Sequence, residues 1–248
     1  MVTVAVDAGG ADLGPAEVAA GATSAAAAGT IRVLLYGPAS EIGEVGDGVE
    51  VIDAPVSIAK ASDPALAVRS TPDASIVRAA RAVAEGGAQA LVSGGSTGSA
   101  LAAGLFNIRR DRGIYRPSLA LPLPMLDAPP VLLLDVGANV SCRPEHLVQF
   151  AHMGAAFSHA VLGREHPRVA LLSNGEEPNK GTPDLMYVHE QLMGNSGKGL
   201  NFIGNIEGTQ VTDNVADVVV MDGFTGNIAL KLIEGVSQAI GVGGHGGG

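Results

Sequence analysis

The sequence predicts an α/β protein, a three-layer α/β/α sandwich built on a mostly parallel sheet. Three observations predict it. Short β-branched, apolar runs recur at 3–7, 31–36, 90–93, 131–135, 168–172, 201–205 and 216–222. They are apolar nearly throughout rather than alternating, the mark of strands covered on both faces. Longer segments rich in alanine, leucine and arginine separate them, as crossover helices separate parallel strands. A chain of 248 residues, 46% hydrophobic and 16% charged, can bury a sizeable core, and residues 1–240 read as one domain.

The first strand runs straight into the turn at Gly9 and Gly10, with neither the basic start nor the small-residue cleavage site of a signal peptide, so a cytoplasmic location is expected. The run from Ala25 to Ala28 ends a helix before a turn at Gly29 and Thr30. The most apolar stretch, 119–136, is broken by Pro122, Pro124, Pro129 and Pro130 and interrupted by Asp127 and Asp135. It falls short of the roughly 20 apolar residues a transmembrane helix needs. A helix is expected from Pro144, which suits a first turn, with Glu145 favouring the helix dipole there. Leu147, Phe150, Gly154, Phe157 and Val161 then recur at spacings of three and four, and Gly163 stops the helix. Gly154 on that stripe implies a backbone passing close by. A last helix is expected over 227–238, followed by a disordered glycine-rich tail over 241–248.

The formal charge of -10 argues against nucleic acid or an anionic membrane as a global partner, because both require a positive field. Cys142 is the single cysteine, which excludes an internal disulfide and a cysteine zinc cage; a buried structural thiol is its expected state.

Loops that follow strands form the ligand crevice of such a sheet. Residues 93–99, Ser-Gly-Gly-Ser-Thr-Gly-Ser, follow a strand and open a helix, so Gly95, Ser96, Thr97 and Gly98 can cradle an anion with backbone N–H groups and hydroxyls or simply cap a turn. Residues 222–227 repeat the design with Asp222, Gly223, Thr225, Gly226 and Asn227. Asp135, Gly137 and Asn139 end another strand, and Asp7 the first. Neither loop has the spacing of a dinucleotide or P-loop fingerprint, so no cofactor is expected, and the scattered acids fix no metal geometry. In the loop 173–181, Gly175 and Lys180 stand out, Lys180 as the best cationic candidate for phosphate or a developing oxyanion. His146 in the first turn of the long helix can reach a substrate, whereas His152, His159 and His166, seven residues apart, are about 10 Å apart along a helix and cannot share one ion. Arg109, Arg110, Arg112 and Arg116 form either a solvated helix end or a docking patch for an acidic carrier protein.

The segment 132–154, LLLDVGANVSCRPEHLVQFAHMG, with NFIGNIEG at 201–208 and ADVVVMDGFTGNIALK at 216–231, resembles the phosphate acyltransferases of bacterial phospholipid synthesis. The likeness runs nearly the length of the chain. It differs at Ser96, where the family has asparagine, and at Pro178 and Asn179, where Glu and Gly are usual; the opening Asp-Ala-Met-Gly-Gly-Asp is here Asp7-Ala8-Gly9-Gly10-Ala11-Asp12. The resemblance implies the fold of phosphotransacetylases and isopropylmalate dehydrogenases. It also implies a cytoplasmic homodimer with weak peripheral membrane association, and transfer of a long acyl chain from acyl carrier protein to inorganic phosphate. Family members continue beyond the last helix, so the chain reads as truncated at its C-terminal end. Lys180 is then expected to supply electrostatic stabilisation and Asn139, Thr225 and Asn227 to orient the reactants, with phosphate held by the loops 93–99 and 222–227. Two alternatives stand beside this reading: a phosphotransacetylase-like enzyme using a coenzyme A thioester, and a non-catalytic relative that binds acyl carrier protein.

Overall fold

The apolar runs do form strands, but they are shared between two sheets. The structure is a computed structural model that describes residues 1–197 and 199–243. Residues 1–240, read from the sequence as one domain, fall into two units, 1–112 and 113–248, each with its own sheet and core.

In the first unit the order is β1 (Val2–Asp7), α1 (Pro15–Ala27), β2 (Ile31–Gly37), α2 (Ala39–Ile42), β3 (Val49–Asp53), α3 (Pro64–Ser70), α4 (Ser75–Ala84), β4 (Ala90–Ser93) and α5 (Thr97–Asn107). The sheet is wholly parallel, in the order β3-β2-β1-β4. Ala19, Ala22 and Ala26 of α1 recur at helical spacing and pack on Val6, Val33 and Leu35, while Ala79 of α4 packs on Ala5 and Tyr36 from the other face. Small side chains on both helices let them lie close to the strands. The sequence reading passed over β3 because Glu50 interrupts its apolar run; β3 is an edge strand with no fully buried residue.

In the second unit the order is β5 (Ala120–Leu123), β6 (Val131–Leu134), α6 (Pro144–Leu162), β7 (Arg168–Leu172), α7 (Pro183–Asn195), β8 (Asn201–Ile206), a 3-10 turn (Gly208–Thr212), β9 (Val218–Val220) and α8 (Gly223–Gly243). The sheet runs β5-β6-β9-β7-β8, parallel except for β5. Pro122 is compatible with β5 because it is an edge strand, where a missing N–H costs no ladder bond. Helix α6 has Pro144 in its first turn and stops at Gly163, whose φ of 71° suits glycine. A Cβ on Gly154 would lie 2.6 Å from Val218 Cγ1, so its glycine is what lets α6 sit down on β9. Phe150 of α6 and Val188 and Leu192 of α7 fill one face of the sheet; Leu230 and Ile233 of α8 cover the other.

The last helix corrects the sequence reading at both ends. It begins at Gly223 rather than 227, and residues 241–243, assigned to a disordered tail, continue it. The remainder of that tail, 244–248, and Lys198 lie outside the described residues. Among the described residues no helix is long and apolar enough to cross a membrane.

Candidate functional site

Sheet order brings together what the sequence keeps apart. Strand β9 lies between β6 and β7, so the loops after these three strands, 135–143, 222–227 and 173–181, leave the sheet side by side.

Asp135 is fully buried at the end of β6. Its Oδ1 accepts from the N–H groups of Leu119, Gly137 and Ala138, and its Oδ2 from the N–H and the side-chain amide of Asn139. A carboxylate so surrounded fixes the shape of the loop. Asn139, also buried, donates its other amide hydrogen to the Pro117 carbonyl at 2.7 Å. It therefore orients its own loop, with the exposed Arg116 guanidinium 3.5 Å from its Oδ1.

Asp222 and the first turn of α8 are pressed onto this loop. Gly223 N–H donates to the Asn139 carbonyl, a Cβ on Gly223 would lie 2.7 Å from that oxygen, and one on Gly226 would lie 1.9 Å from the Asp135 carbonyl. No side chain fits at either position. Asn227 reaches Gly137, whose φ of 142° itself favours glycine and where a Cβ would come within 3.2 Å of Asn227 Nδ2. Asp222 accepts from both the N–H and the hydroxyl of Thr225, fixing Thr225 at the start of α8. Asp222 and Thr225 line a cleft of about 550 Å³ with Ser173, Asn174, Gly181 and Thr182, so the first turn of α8 and the loop after β7 share one concavity.

Gly181 lines that wall; Lys180, the residue before it, does not itself line the cleft. Its N–H donates to the Glu177 carbonyl, and its half-exposed ammonium lies 3.9 Å from Glu177 Oε2. A Cβ on Gly175 would come within 2.6 Å of Lys180 Cγ, so Gly175 leaves the lysine stem its path.

His146 does not reach this cleft's lining. It is buried in the first turn of α6, where its Nδ1 accepts from the Arg143 N–H and its ring lies 6.3 Å from that of Tyr115. Burial first, then the charges of Arg143 and Arg116, hold it below the usual imidazole range. It caps the helix. Cys142, half-buried, points its thiol at the Asn139 carbonyl, and desolvation pushes its pKa up, as suits a structural cysteine.

The first unit has a comparable loop pair. Its strand order reverses at β1, with β2 on one side and β4 on the other, so Asp7 and Ser93 end neighbouring strands. Ser93 donates to Asp7 Oδ2 at 2.7 Å and accepts from Gly95 N–H, while Gly9 N–H donates to Asp7 Oδ1. Desolvation raises the Asp7 pKa against these bonds. Ser96 accepts from Ser99 N–H and so caps α5, leaving Thr97 and Gly98 exposed in its first turn. Arg109, Arg110 and Arg112 follow α5 as exposed residues. A larger groove in the second unit, about 570 Å³, is lined by His152, Val148, Met153 and Tyr187 and holds none of Gly181, Asp222 or Thr225.

Sequence reasoning missed His189 and Asn205, buried polar residues on α7 and β8. The signal available was a histidine on an apolar stripe between Val188 and Leu192, and an asparagine in a strand otherwise apolar.

Parallel α/β sheets of this order are shared with the phosphotransacetylase-like fold. The solved phosphotransacetylase of Streptococcus pyogenes superposes with a TM-score of 0.66 at 16% identity, covering 96% of this chain and 82% of that one. A branched-chain phosphotransacylase from Enterococcus faecalis V583 does so with a TM-score of 0.58 at 21% identity, covering 93% and 83%. Sequence comparison is narrower: the profile of the family described as "Fatty acid synthesis protein" matches residues 2–242. The phosphate acyltransferase of Bacillus pumilus is 44% identical over 241 residues, 96% of this chain and 72% of that one, and that of Lacticaseibacillus casei is 44% identical over 241 residues, 96% and 70%. The chain belongs to this family, the phosphate acyltransferases.

Proposed function

We propose that the protein transfers a long fatty acyl group from acyl carrier protein to inorganic phosphate, in the cytoplasm, giving acyl-phosphate and the free carrier thiol. The observation that carries this reading is the cleft of the second unit, where Thr225 at the start of α8 and the Lys180 loop meet. The first turn of α8, with its Gly223 and Thr225 N–H groups bonded to Asn139 and Asp222, borders the cleft with the positive end of the helix dipole, and the loop that carries Lys180 borders it through Gly181. A phosphate oxygen attacks the thioester carbonyl carbon, the oxyanion forms near Lys180, and the C–S bond breaks as the thiolate leaves. Phosphate is already anionic at neutral pH and the thiolate is a good leaving group, so positioning and charge stabilisation supply the catalysis without a strong base. Asn227 holds the start of α8 against the loop at Gly137.

The test is to incubate the chain with a long-chain acyl carrier protein thioester and phosphate and trap acyl-phosphate as the hydroxamate, with no-phosphate and coenzyme A thioester controls. Phosphate-dependent hydroxamate from the carrier thioester is expected, and Lys180→Ala is expected to lower kcat about a hundredfold or more. Turnover with the coenzyme A thioester alone would transfer the assignment to the phosphotransacetylase-like alternative. Carrier-protein binding with no hydroxamate from folded protein would favour the non-catalytic one.

A further inference from the structure

We propose that His189 and Asn205 are positioning residues that set the Lys180 loop from beneath, acting through the Glu177 carbonyl; this rests on the role of Lys180 proposed above. Asn205 Nδ2 donates to the Glu177 carbonyl at 3.0 Å, and the Lys180 N–H donates to the same oxygen at 3.0 Å. Asn205 Oδ1 lies 2.9 Å from His189 Nδ1, with both residues buried. A carbonyl oxygen can only accept, so the Asn205 amide nitrogen must face Glu177 and its oxygen must face the histidine. His189 Nδ1 therefore carries a proton. The result is a directed chain, His189 to Asn205 to the Glu177 carbonyl, ending on the atom that also receives the Lys180 N–H. Phe202 holds the imidazole edge-on, with ring centres 5.4 Å apart.

The strand is shaped for this. Phe202 pairs with Val169 and Gly204 with Ala170, so Ile203 is an extra residue in β8, a bulge whose Gly204 has a φ of 107°. Phe202 packs in the core under α6 and α7, whereas Ile206 packs in the core of the opposite face. Four residues apart on a regular strand, they would share a face; the bulge flips the alternation between them. It thereby turns Asn205 to the Phe202 side, where His189 of α7 stands. Without the bulge the asparagine would face the wrong helix layer. The chain costs a buried polar pair in an apolar core, and its far end is the backbone of the loop that carries the cationic side chain.

The experiment pairs a variant series with a measurement on the unaltered protein. His189→Leu keeps bulk and removes the donor; His189→Asn places an amide N–H near the former Nδ1. His189→Leu is expected to lower kcat tenfold to a hundredfold with each substrate KM changed less than about twofold, and His189→Asn to restore most of that loss. Because the effect runs through Lys180, Lys180→Ala/His189→Leu is expected to be no slower than Lys180→Ala alone. Losses that multiply in the double variant, or an unimpaired His189→Leu, overturn the inference while leaving the role of Lys180 intact. An unimpaired Lys180→Ala overturns that role first. Should His189→Leu fail to fold, the imidazole ¹⁵N signals of the unaltered chain decide: a proton on Nδ1 at neutral pH is expected, and an Nε2–H tautomer alone overturns the chain of hydrogen bonds.

Discussion

The two units finish an apolar parallel strand in the same way, on a buried aspartate followed by a glycine loop, yet they hold the acid differently. Asp7 in the first unit receives Gly9 N–H and the Ser93 hydroxyl, too little to offset its burial, and its pKa rises. Asp135 in the second receives five donors, four of them backbone N–H groups, and ties Leu119 to the turn from Gly137 to Asn139. The same local motif thus serves as a latch in one sheet and as the hub of a loop in the other. Identical sequence grammar does not settle how much of the backbone an acid will carry; the number of N–H groups the surrounding chain turns toward it does.

Asp135→Ala is the sharpest way to break this comparison. It strands several buried donors and is expected to cost about 3–5 kcal/mol, read as a fall in the urea midpoint, whereas Asp7→Asn, which keeps an acceptor for Gly9, should cost about 1 kcal/mol or less. Equal costs would dissolve the distinction between hub and latch.

Glycine substitution gives a smaller contrast. Gly226→Ala drives a Cβ to within 1.9 Å of the Asp135 carbonyl and is expected to cost about 3 kcal/mol, because the obstacle is backbone. Gly104→Ala, in mid-helix in the first unit with nothing within 4 Å, is expected to stabilise by about 0.5–1 kcal/mol. Thermal melts of the two variants should therefore move in opposite directions.

The smallest effect is one of sign. Burial raises the Asp7 pKa, so the folded state binds a proton more tightly than the unfolded, and its contribution is present below the ordinary carboxylate pKa and lost as pH rises through the raised value. Asp217 in the second unit is the reverse. Burial works to raise its pKa, but bonds from Arg168, side chain and backbone, and the charge of Arg164 outweigh this and lower it. Its contribution is present above the ordinary value and lost as pH falls through the lowered one. Urea midpoints measured from about pH 2 to 6 should lose their acid-side rise in Asp217→Asn and their decline with increasing pH in Asp7→Asn.

Much of this was legible in the sequence. Period and capping residues located α6 to its terminal Gly163, and Gly154 on its apolar stripe announced the close approach to Val218, because helix geometry and glycine's missing Cβ are local facts. The strand-end loops carrying Asp7, Ser93, Asp135, Lys180 and Asp222 were also visible, since an apolar run followed by acid and glycine is a pattern along the chain. Edge strands β3 and β5 were not, because half-covered strands need not be uniformly apolar and can hold Glu50 or Pro122. Only the tertiary structure decided which polar groups face the cleft and which face inward. Asn139, His146 and Thr225 look equally available in sequence; each is hydrogen-bonded within the protein, to Pro117 and Asp135, to Arg143 and to Asp222 respectively, and of the three Thr225 lines the cleft. The same holds for Asn205, whose direction depends on one extra residue in β8. Sequence determines the period of an element and the chemistry at its ends; the partners across a sheet, brought together from distant parts of the chain as β6 and β9 are, determine where that chemistry points.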